Sequence, residues 1–328
     1  MNVIASSVNN SLLIVVIAQG VFYGTPLLFA SLGELLTERS GVLNLGVEGM
    51  MLVGAAIGFW IAHRFNAEPG IMLTAGFLAG AVAGAVMAAI HAFMVITLRA
   101  SQIVSGLALT IFAGAAGLST YVGDTFNLTG DFNLRQLNPV FPGSWQNWPV
   151  VGPILFGQVM LVYLSWVLVI AMIWYLNRTR PGLNVRAVGE APAAADAMGI
   201  NVARYRYLHT IAGGALAGVG GAFITLAVTP QWADGITGGA GWIAIALVIF
   251  AFWRPELCLV GAYFFGALQT LAPELQARDI NIGPTVLWTN TLPYIATIVV
   301  LVIVSASSAK SRLGAPAALG TPYIREER

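Results

Sequence analysis

The 328-residue chain has few charged residues and a single lysine. Only 9% of its residues are Asp, Glu, Lys or Arg, against roughly 25% in a typical soluble domain, while 58% are hydrophobic. The one lysine, Lys310, lies near the C-terminus. A P-loop needs a lysine in GxxxxGK[ST] to reach the nucleotide phosphates, so this chain does not hydrolyse ATP by that route.

Residue types that carry catalysis are equally scarce. Cys258 is the only cysteine, which excludes an internal disulfide. His63, His91 and His209 are isolated from Cys, Asp and Glu at metal-ligand spacing, so no metal site is predicted. GxSxG, HExxH and paired catalytic carboxylates are absent. The missing motifs give no support for an enzyme. The formal net charge is +1 and the charged residues are scattered between apolar runs, so the sequence does not predict a nucleic-acid-binding protein.

Long apolar runs recur along the whole chain. About 20 apolar residues cross the hydrocarbon core of a bilayer as a helix. The sequence therefore predicts an all-α polytopic membrane protein with about 9–10 transmembrane helices. The predicted spans lie near 11–33, 43–62, 71–98, 101–122, 152–177, 208–229, 237–254, 256–274 and 291–308. They form a transmembrane domain over 1–308. The remaining 309–328 is rich in Pro, Gly and Ala, which predicts a disordered cytoplasmic tail.

Arginine placement predicts the orientation. The loop 178–207 carries five arginines and the tail carries three with Lys310, whereas 123–151 has Arg135 alone. By the positive-inside rule, 178–207 and the C-terminus are cytoplasmic and 123–151 faces outward. Counting spans back from 178–207 puts the N-terminus outside.

The stretch GVLNLGVEGMMLVGA (41–55) sets Asn44 and Glu48 four residues apart among glycines. On a helix the two side chains would share a face, and an ionisable group within the membrane needs a cavity or a partner. The glycines weaken the helix, so we predict a broken second helix that lines or gates a pathway. The alternative places Glu48 near the cytoplasmic interface, paired with Arg39.

Two further stretches are predicted to have specific roles. In the inward loop, Pro192 can begin a short helix and Gly199 can end it. This helix, about 190–199, lacks a wide face of large apolar residues, which favours docking on a protein over the membrane surface. The stretch GGAGWIAIALVIFAFWRPE (238–256) begins a span of opposite direction to 43–62. We interpret the pair as an inverted repeat whose glycine-rich starts meet near the pathway.

Small residues also recur at four-residue spacing. Gly76, Gly80 and Gly84 form overlapping GxxxG patterns, and Gly54 with Gly58 and Gly214 with Gly218 form two more. Such patterns allow helices to approach closely in lipid. We expect them to serve packing within one subunit, with a subunit interface as the alternative.

Several motifs together resemble one family. The stretches ERSGVLNLGVEGMMLVGA (38–55), SQIVSGLALTIFAGA (101–115), RAVGEAPAAADAMGINVARYR (186–206), 238–256 and LPYIATIVVLVI (292–303) are similar, in order, to permeases of ABC importers for branched-chain amino acids, ribose and nucleosides. The nucleoside and simple-sugar branch is the most similar. The resemblance covers about 24–305 and implies a type II ABC importer-like fold.

The resemblance implies an ATP-driven importer with several partners. A second homologous permease would complete the pathway, and an extracytoplasmic substrate-binding lipoprotein would deliver the solute. A cytoplasmic ABC ATPase would bind ATP and Mg, so no cofactor is expected in this chain. The expected location is the bacterial cytoplasmic (inner) membrane.

The resemblance also assigns residues. The ATPase-coupling helix would carry Glu190, Ala193, Ala194 and Gly199 at matching positions. Gln102 and Trp242 would join Asn44 and Glu48 along the pathway or its gate. Two residues near this pathway depart from the family pattern: Ser101 replaces the usual asparagine before Gln102, and Trp242 stands where tyrosine is common.

Nucleosides are the first expected solute, with a simple sugar such as ribose or another heterocycle as alternatives. An ion-coupled secondary transporter would also use broken helices, but it usually has coupling carboxylates in its spans, and Glu48 is the one plausible candidate. An intramembrane enzyme would need a nucleophile–base pair, and the sequence offers none.

Overall fold

The computed structural model describes residues 11–64, 69–114, 117–129, 137–280, 283–306 and 314–324. Within these residues the regular structure is helical throughout, without a strand. The helices are α1 (Leu12–Arg39), α2 (Val47–Arg64), α3 (Pro69–Ala92), α4 (Gln102–Ala113), α5 (Leu118–Thr125), α6 (Gly143–Gln146), α7 (Met160–Arg178), α8 (Arg180–Glu190), α9 (Pro192–Ala197), α10 (Val202–Phe223), α11 (Ala240–Phe250), α12 (Pro255–Ala277) and α13 (Thr285–Ala306). Lys310 and Arg312 of the tail lie outside the described residues.

Five helical stretches of the described chain are long and apolar enough to cross a membrane by length and composition. They are Leu12–Arg39, Gly70–Thr97, Gln102–Thr125, Met160–Arg178 and Val202–Val228, of which Gln102–Thr125 comprises the separate helices α4 and α5. These correspond to five of the nine predicted spans, and α2, α12 and α13 lie at three others. The chain is therefore an all-α polytopic membrane protein.

The span predicted at 237–254 is wrong in length. Its helix, α11, has 11 residues, which at about 1.5 Å per residue covers only about 17 Å of a hydrocarbon core of about 30 Å. The chain leaves the helix at Phe252 and Trp253, which both have positive φ. Periodicity could not reveal this end, because the sequence stays apolar beyond it.

Helix α1 is longer than the predicted 11–33. It continues to Arg39 and includes the buried carboxylates Glu34 and Glu38. Each carboxylate has a donor: Glu34 accepts from the backbone of Asn44, and Glu38 accepts from the indole of Trp253. These non-local partners allow polar residues to remain in a buried helix.

Glycine stripes hold α2, α3 and α10 together. A Cβ atom at Gly80 of α3 would lie 3.0 Å from the backbone oxygens of both Gly54 and Gly218. Gly84 is in similarly close contact with Gly214. Because these contacts involve backbone, larger side chains would separate the helices. The prediction that these patterns serve packing within one subunit is confirmed for this cluster.

Helix α1 runs through the centre of the bundle and packs along α10 and α12. From Leu27 onward its apolar side chains are almost fully buried, among them Leu28, Leu32 and Leu35. At its N-terminal half, Gly20 and Gly24 contact the backbone of α12. Helix α1 therefore contacts α12 through its N-terminal half and the turn after α11 through Arg39.

The loop after α7 differs from the predicted single helix at 190–199. Glu190 ends α8, and α9 begins at Pro192 and ends at Ala197. Ala191 separates them with an extended φ of −146°. Gly199 has φ +82°, which suits its predicted role as a helix-ending glycine.

The tail prediction needs correction for 314–324. These residues contact α1, α8, α9 and α10 through several hydrogen bonds, so they are not disordered as composition suggested. Composition failed here because the acceptors and donors belong to distant parts of the chain, which a local sequence window does not include.

Candidate functional site

The segment before α2 is a shaped turn rather than a helix. Asn44 is buried, its side-chain Oδ1 accepts from Gly46 N at 3.0 Å, and its backbone N donates to Glu34 Oε1 at 3.2 Å. Helix α2 begins only at Val47. The prediction that Asn44 and Glu48 share a helix face is therefore wrong, because Asn44 folds its own turn through a side chain-to-backbone bond. The break lies before α2, and α2 itself is continuous.

Helices α3 and α4 clamp this turn. Leu43 N donates to Gln102 Oε1 at 2.6 Å, and Leu43 O lies 3.1 Å from His91 Nε2. Thr110 donates to Leu45 O at 3.1 Å. The predicted pathway residue Gln102 is thus buried and satisfies a backbone group of 42–46, which would otherwise lack a partner.

Glu48 is the anchor between two distant segments. Its Oε1 accepts from Thr237 Oγ1 at 2.6 Å and from Gly239 N at 3.1 Å, and its Oε2 accepts from Gly241 N at 2.6 Å. Gly239 is the N-cap of α11 and has no side chain with which to cap it. The Glu48 carboxylate supplies that cap from α2 and also faces the positive end of the α11 dipole.

The alternative prediction, in which Glu48 pairs with Arg39, is wrong. Arg39 instead donates from Nη2 to Trp253 O at 2.8 Å and from Nη1 to Gly314 O at 3.2 Å. The first contact holds the end of α1 at the turn after α11, and the second holds it at 314–324. Glu48 thus has no ion pair with Arg39 and is held by neutral donors.

The two glycine-rich starts do meet, as predicted. A Cβ at Gly241 would lie 2.5 Å from Glu48 Cα, so the backbones of α2 and α11 are in direct contact. Gly239 has φ +84°, a conformation that favours glycine. This contact needs glycine at 241, because a larger side chain there would meet the backbone of Glu48.

A cleft of about 530 Å³ adjoins the start of α11. Side chains from α1, α11, α12 and α13 surround it, together with residues just before α11. Its lining comprises Gln19, Tyr23, Thr237, Gly238, Ile243, Gln269, Thr270, Pro273, Pro293 and Tyr294. Two tyrosines, two amides and two hydroxyls offer hydrogen bonds, and this lining includes no charged side chain.

The cleft and the Glu48 anchor share one wall. Thr237 lines the cleft and donates its hydroxyl hydrogen to Glu48. Tyr294 of α13 donates to Gly238 O at 2.8 Å across the same wall. Removing the Glu48 cap would therefore alter the cleft without removing one of its lining residues.

The four predicted pathway residues fall into two groups. Asn44, Gln102 and Glu48 are buried and bonded within the chain, and within the described structure they are not part of the cleft lining. Trp242, by contrast, is 37% exposed near the start of α11. The structure thus brings Glu48 beside the α11 start, whereas Asn44 and Gln102 meet at the turn before α2.

Sequence reasoning missed most of the cleft. Gln19 and Gln269 are amides inside predicted apolar spans, and polar residues at membrane depth are a recognised signal for a functional site. Tyr23 and Tyr294 give no such signal, because tyrosine is common in membrane helices near their ends. The sequence alone could not show that residues 250 positions apart share one cavity.

The predicted coupling segment is mostly exposed. Ala193, Ala194 and Gly199 lie on the surface, and Glu190 is exposed at the end of α8. Helix α8 was missed, although Thr179 caps it by accepting from Gly182 N at 3.1 Å. Thr179 followed by Pro181 in the first turn is a helix-start signal from which α8 could have been predicted.

Comparisons with known proteins agree with this architecture. Residues 16–305 match the family described as branched-chain amino acid transport system / permease component. A Haloferax volcanii protein named as a glucose ABC transporter permease, TsgC13, is 40% identical over 320 residues, 92% of this chain and 95% of that protein.

Two bacterial relatives are similar over almost their full length. The nucleoside ABC transporter permease protein NupC of Lactococcus lactis is 33% identical over 95% of this chain and 98% of its own. The guanosine ABC transporter permease protein NupQ of Bacillus subtilis is 33% identical over 97% and 98%. No solved structure matches.

Proposed function

The chain belongs to the branched-chain amino acid transport system permease family, and is thus an ABC transporter permease; from that premise we propose that it forms the translocation pathway for nucleosides in a binding-protein-dependent importer. The observation that carries the solute class is the uncharged, polar and tyrosine-containing cleft at the start of α11. A nucleoside combines a flat heterocycle with neutral hydroxyls, and such a lining matches both parts.

The alternative solute is a simple sugar. NupC and NupQ are named for nucleosides and guanosine, whereas TsgC13 is named for glucose. Sugars would use the amides and hydroxyls of Gln19, Gln269 and Thr270 but would gain less from the two tyrosines. A second heterocyclic solute class would use the same groups as nucleosides. An ion-coupled secondary transporter is disfavoured by the match to an ABC permease family, and three donors already bind the Glu48 carboxylate.

We assign ATP hydrolysis to a separate cytoplasmic ABC ATPase, which binds ATP and Mg. This chain is a transport component rather than an enzyme, and it lacks a P-loop lysine. A second homologous permease completes the pathway as a heterodimer, and an extracytoplasmic binding lipoprotein delivers the solute. The proposed location is the bacterial cytoplasmic membrane.

In the proposed mechanism, alternating access links α9 to the cleft. ATP binding closes the ATPase dimer and moves α9 together with the residues that follow it, where Ala193, Ala194 and Gly199 are exposed. The movement reaches the cleft through α10, on which α9 packs, and through α1, which contacts α8. Within that scheme Asn44, Gln102 and Glu48 position the α2 and α11 starts, and Trp242 contacts the solute route.

Uptake by the complete complex in proteoliposomes tests the proposal. Radiolabelled nucleoside uptake should require ATP, the binding protein and the ATPase, and vanadate should block it while an ionophore should not. Tyr294→Phe should lower nucleoside uptake by about tenfold at low solute concentration, because it loosens the cleft wall at Gly238. The matched control is Tyr121→Phe, an exposed tyrosine on α5.

Three results would contradict the proposal. Uptake that collapses with an ionophore and ignores vanadate would indicate a secondary transporter. Faster uptake of glucose than of nucleoside at equal concentration would indicate that the solute is a sugar. Nucleoside uptake that is equal in Tyr294→Phe and Tyr121→Phe would show that the cleft is not on the route.

A further inference from the structure

The C-terminal segment 314–324, which we call the C-terminal strap, lies across the ends of several helices. Arg39 of α1 donates to Gly314 O at 3.2 Å. The strap then reaches α8: Ala318 N donates to Gly189 O at 2.9 Å, and Ala317 N donates to Glu190 Oε2 at 3.2 Å. The first half of the strap is thus bonded to the two residues with which α8 ends.

The second half of the strap reaches α9 and α10. Tyr323 donates its hydroxyl hydrogen to Asp196 Oδ2 of α9 at 2.9 Å. The buried Arg206 of α10 donates from Nη1 to Thr321 O at 3.2 Å. The Tyr323 ring also packs on the small cluster that contains Ala195 of α9. Through these contacts the strap ties α9 to a transmembrane helix.

The strap and α9 expose similar chemistry to solvent. The exposed strap residues include Ala317, Gly320 and Pro322, and the exposed residues at α9 include Ala193, Ala194 and Met198, the last at 83%. These side chains are small or flexible and uncharged. Among the described residues of α9, Met198 and the strap, the exposed side chains include no cation and no large apolar residue other than Met198, whereas segments that bind a bilayer present both. Small residues also allow close approach of another protein.

We propose that the C-terminal strap and α9 form one docking surface for the cytoplasmic ABC ATPase. The inference rests on the proposed function, in which α9 is the ATPase contact. It adds a second, discontinuous segment to that contact and gives the strap a role in holding α9 against α8 and α10. The position of the strap between α9 and Arg39 also connects the docking surface to the end of α1.

Cysteine labelling tests the proposal directly, because the one native cysteine, Cys258, is buried. The full-length permease complex in nanodiscs is labelled with a membrane-impermeant maleimide, with and without the ATPase. The variants are Ala317→Cys on the strap, Ala193→Cys on α9 and Gly143→Cys as a control. Gly143 is exposed at the start of α6, and a side chain there meets no neighbour within 4 Å.

At an ATPase concentration of about ten times its Kd, labelling of Ala317→Cys and Ala193→Cys should each slow by about tenfold, with Gly143→Cys unchanged. Protection of Ala193→Cys without protection of Ala317→Cys would overturn the strap inference and leave the proposed function standing. Protection of neither variant, while the ATPase still co-purifies, would overturn the assignment of α9 itself. Slow labelling of Ala317→Cys in nanodiscs without ATPase, but fast labelling in detergent, would identify the bilayer as the occupant.

A second measurement addresses the hold of the strap on α9. Tyr323→Phe removes one hydroxyl and keeps the ring, so the expected change is a roughly tenfold increase in the Kd for the ATPase. The control, Tyr121→Phe, makes the same change on α5 and should leave the Kd unaltered. Equal Kd values for the two variants would contradict the role of the strap.

Discussion

Removing the carboxylate of Glu48 should destabilise the junction between α2 and α11 far more than a typical membrane-protein substitution. The side chain is 6% exposed and accepts three hydrogen bonds, two of them from backbone N–H groups at the start of α11. Glu48→Ala leaves Gly239 N, Gly241 N and the Thr237 hydroxyl without their acceptor. We expect a loss of about 3–5 kcal/mol in the free energy of unfolding.

Glu48→Gln separates the geometric role from the charge. The amide oxygen can still accept from Thr237 and Gly239, but the amide NH₂ then faces the N–H of Gly241, where two donors meet. The expected loss in the free energy of unfolding is about 1–3 kcal/mol, which is smaller than the loss expected for Glu48→Ala. Nucleoside uptake should fall in the same order, because Thr237 and Gly238 form the cleft wall.

Denaturant titration in detergent micelles, together with uptake in proteoliposomes, checks both expectations. Glu256→Gln is the matched control, since Glu256 has an exposed carboxylate paired with Arg254 and should change stability by less than about 1 kcal/mol. Wild-type stability in Glu48→Ala would refute the capping role. Full stability in Glu48→Gln with abolished uptake would show instead that the charge itself acts in transport.

Three further changes test the packing around the site. Asn44→Ala removes the hydrogen bond to Gly46 N and should lower the free energy of unfolding by about 1–2 kcal/mol in a denaturant titration. An unchanged free energy of unfolding would mean that the turn forms without this hydrogen bond. Gln102→Leu leaves the backbone N–H of Leu43 without its acceptor and should cost about 1–3 kcal/mol by the same titration; an unchanged midpoint would mean that water replaces the amide. Gly80→Leu forces a side chain against the backbone oxygens of α2 and α10 and should abolish the folded monomer peak in size-exclusion chromatography. Gly70→Ala, where nothing lies within 4 Å, is its control and should elute as wild type, and identical profiles for the two would contradict the close packing.

The family and the membrane character were predictable because they depend on local, repeated features. Apolar runs of about 20 residues report the spans, and ordered motifs such as 38–55 report the family. Glycine spacing likewise predicted close helix packing within the subunit, because close approach in lipid requires small residues at four-residue intervals. The structure shows that the helices concerned are α2, α3 and α10. The meeting of 41–49 with 238–241 followed from their similar composition.

The roles of individual polar residues were not predictable in the same way. Asn44 and Glu48 stood at helical spacing, yet Asn44 bonds Gly46 within a turn and Glu48 bonds a segment about 190 positions away. A carboxylate among glycines in a membrane sequence fits a gate, an ion pair or a helix cap equally well. Only its three donors distinguish these functions.

By itself the sequence determined an all-α membrane protein of the ABC permease family, because hydropathy and short-range motifs are properties of consecutive residues. The tertiary structure decided that the start of α11 is capped from α2, that four helices enclose an uncharged cleft, and that 314–324 binds α8–α10. Those features depend on hydrogen bonds between residues far apart in the chain. Their partners are fixed only when the helices pack.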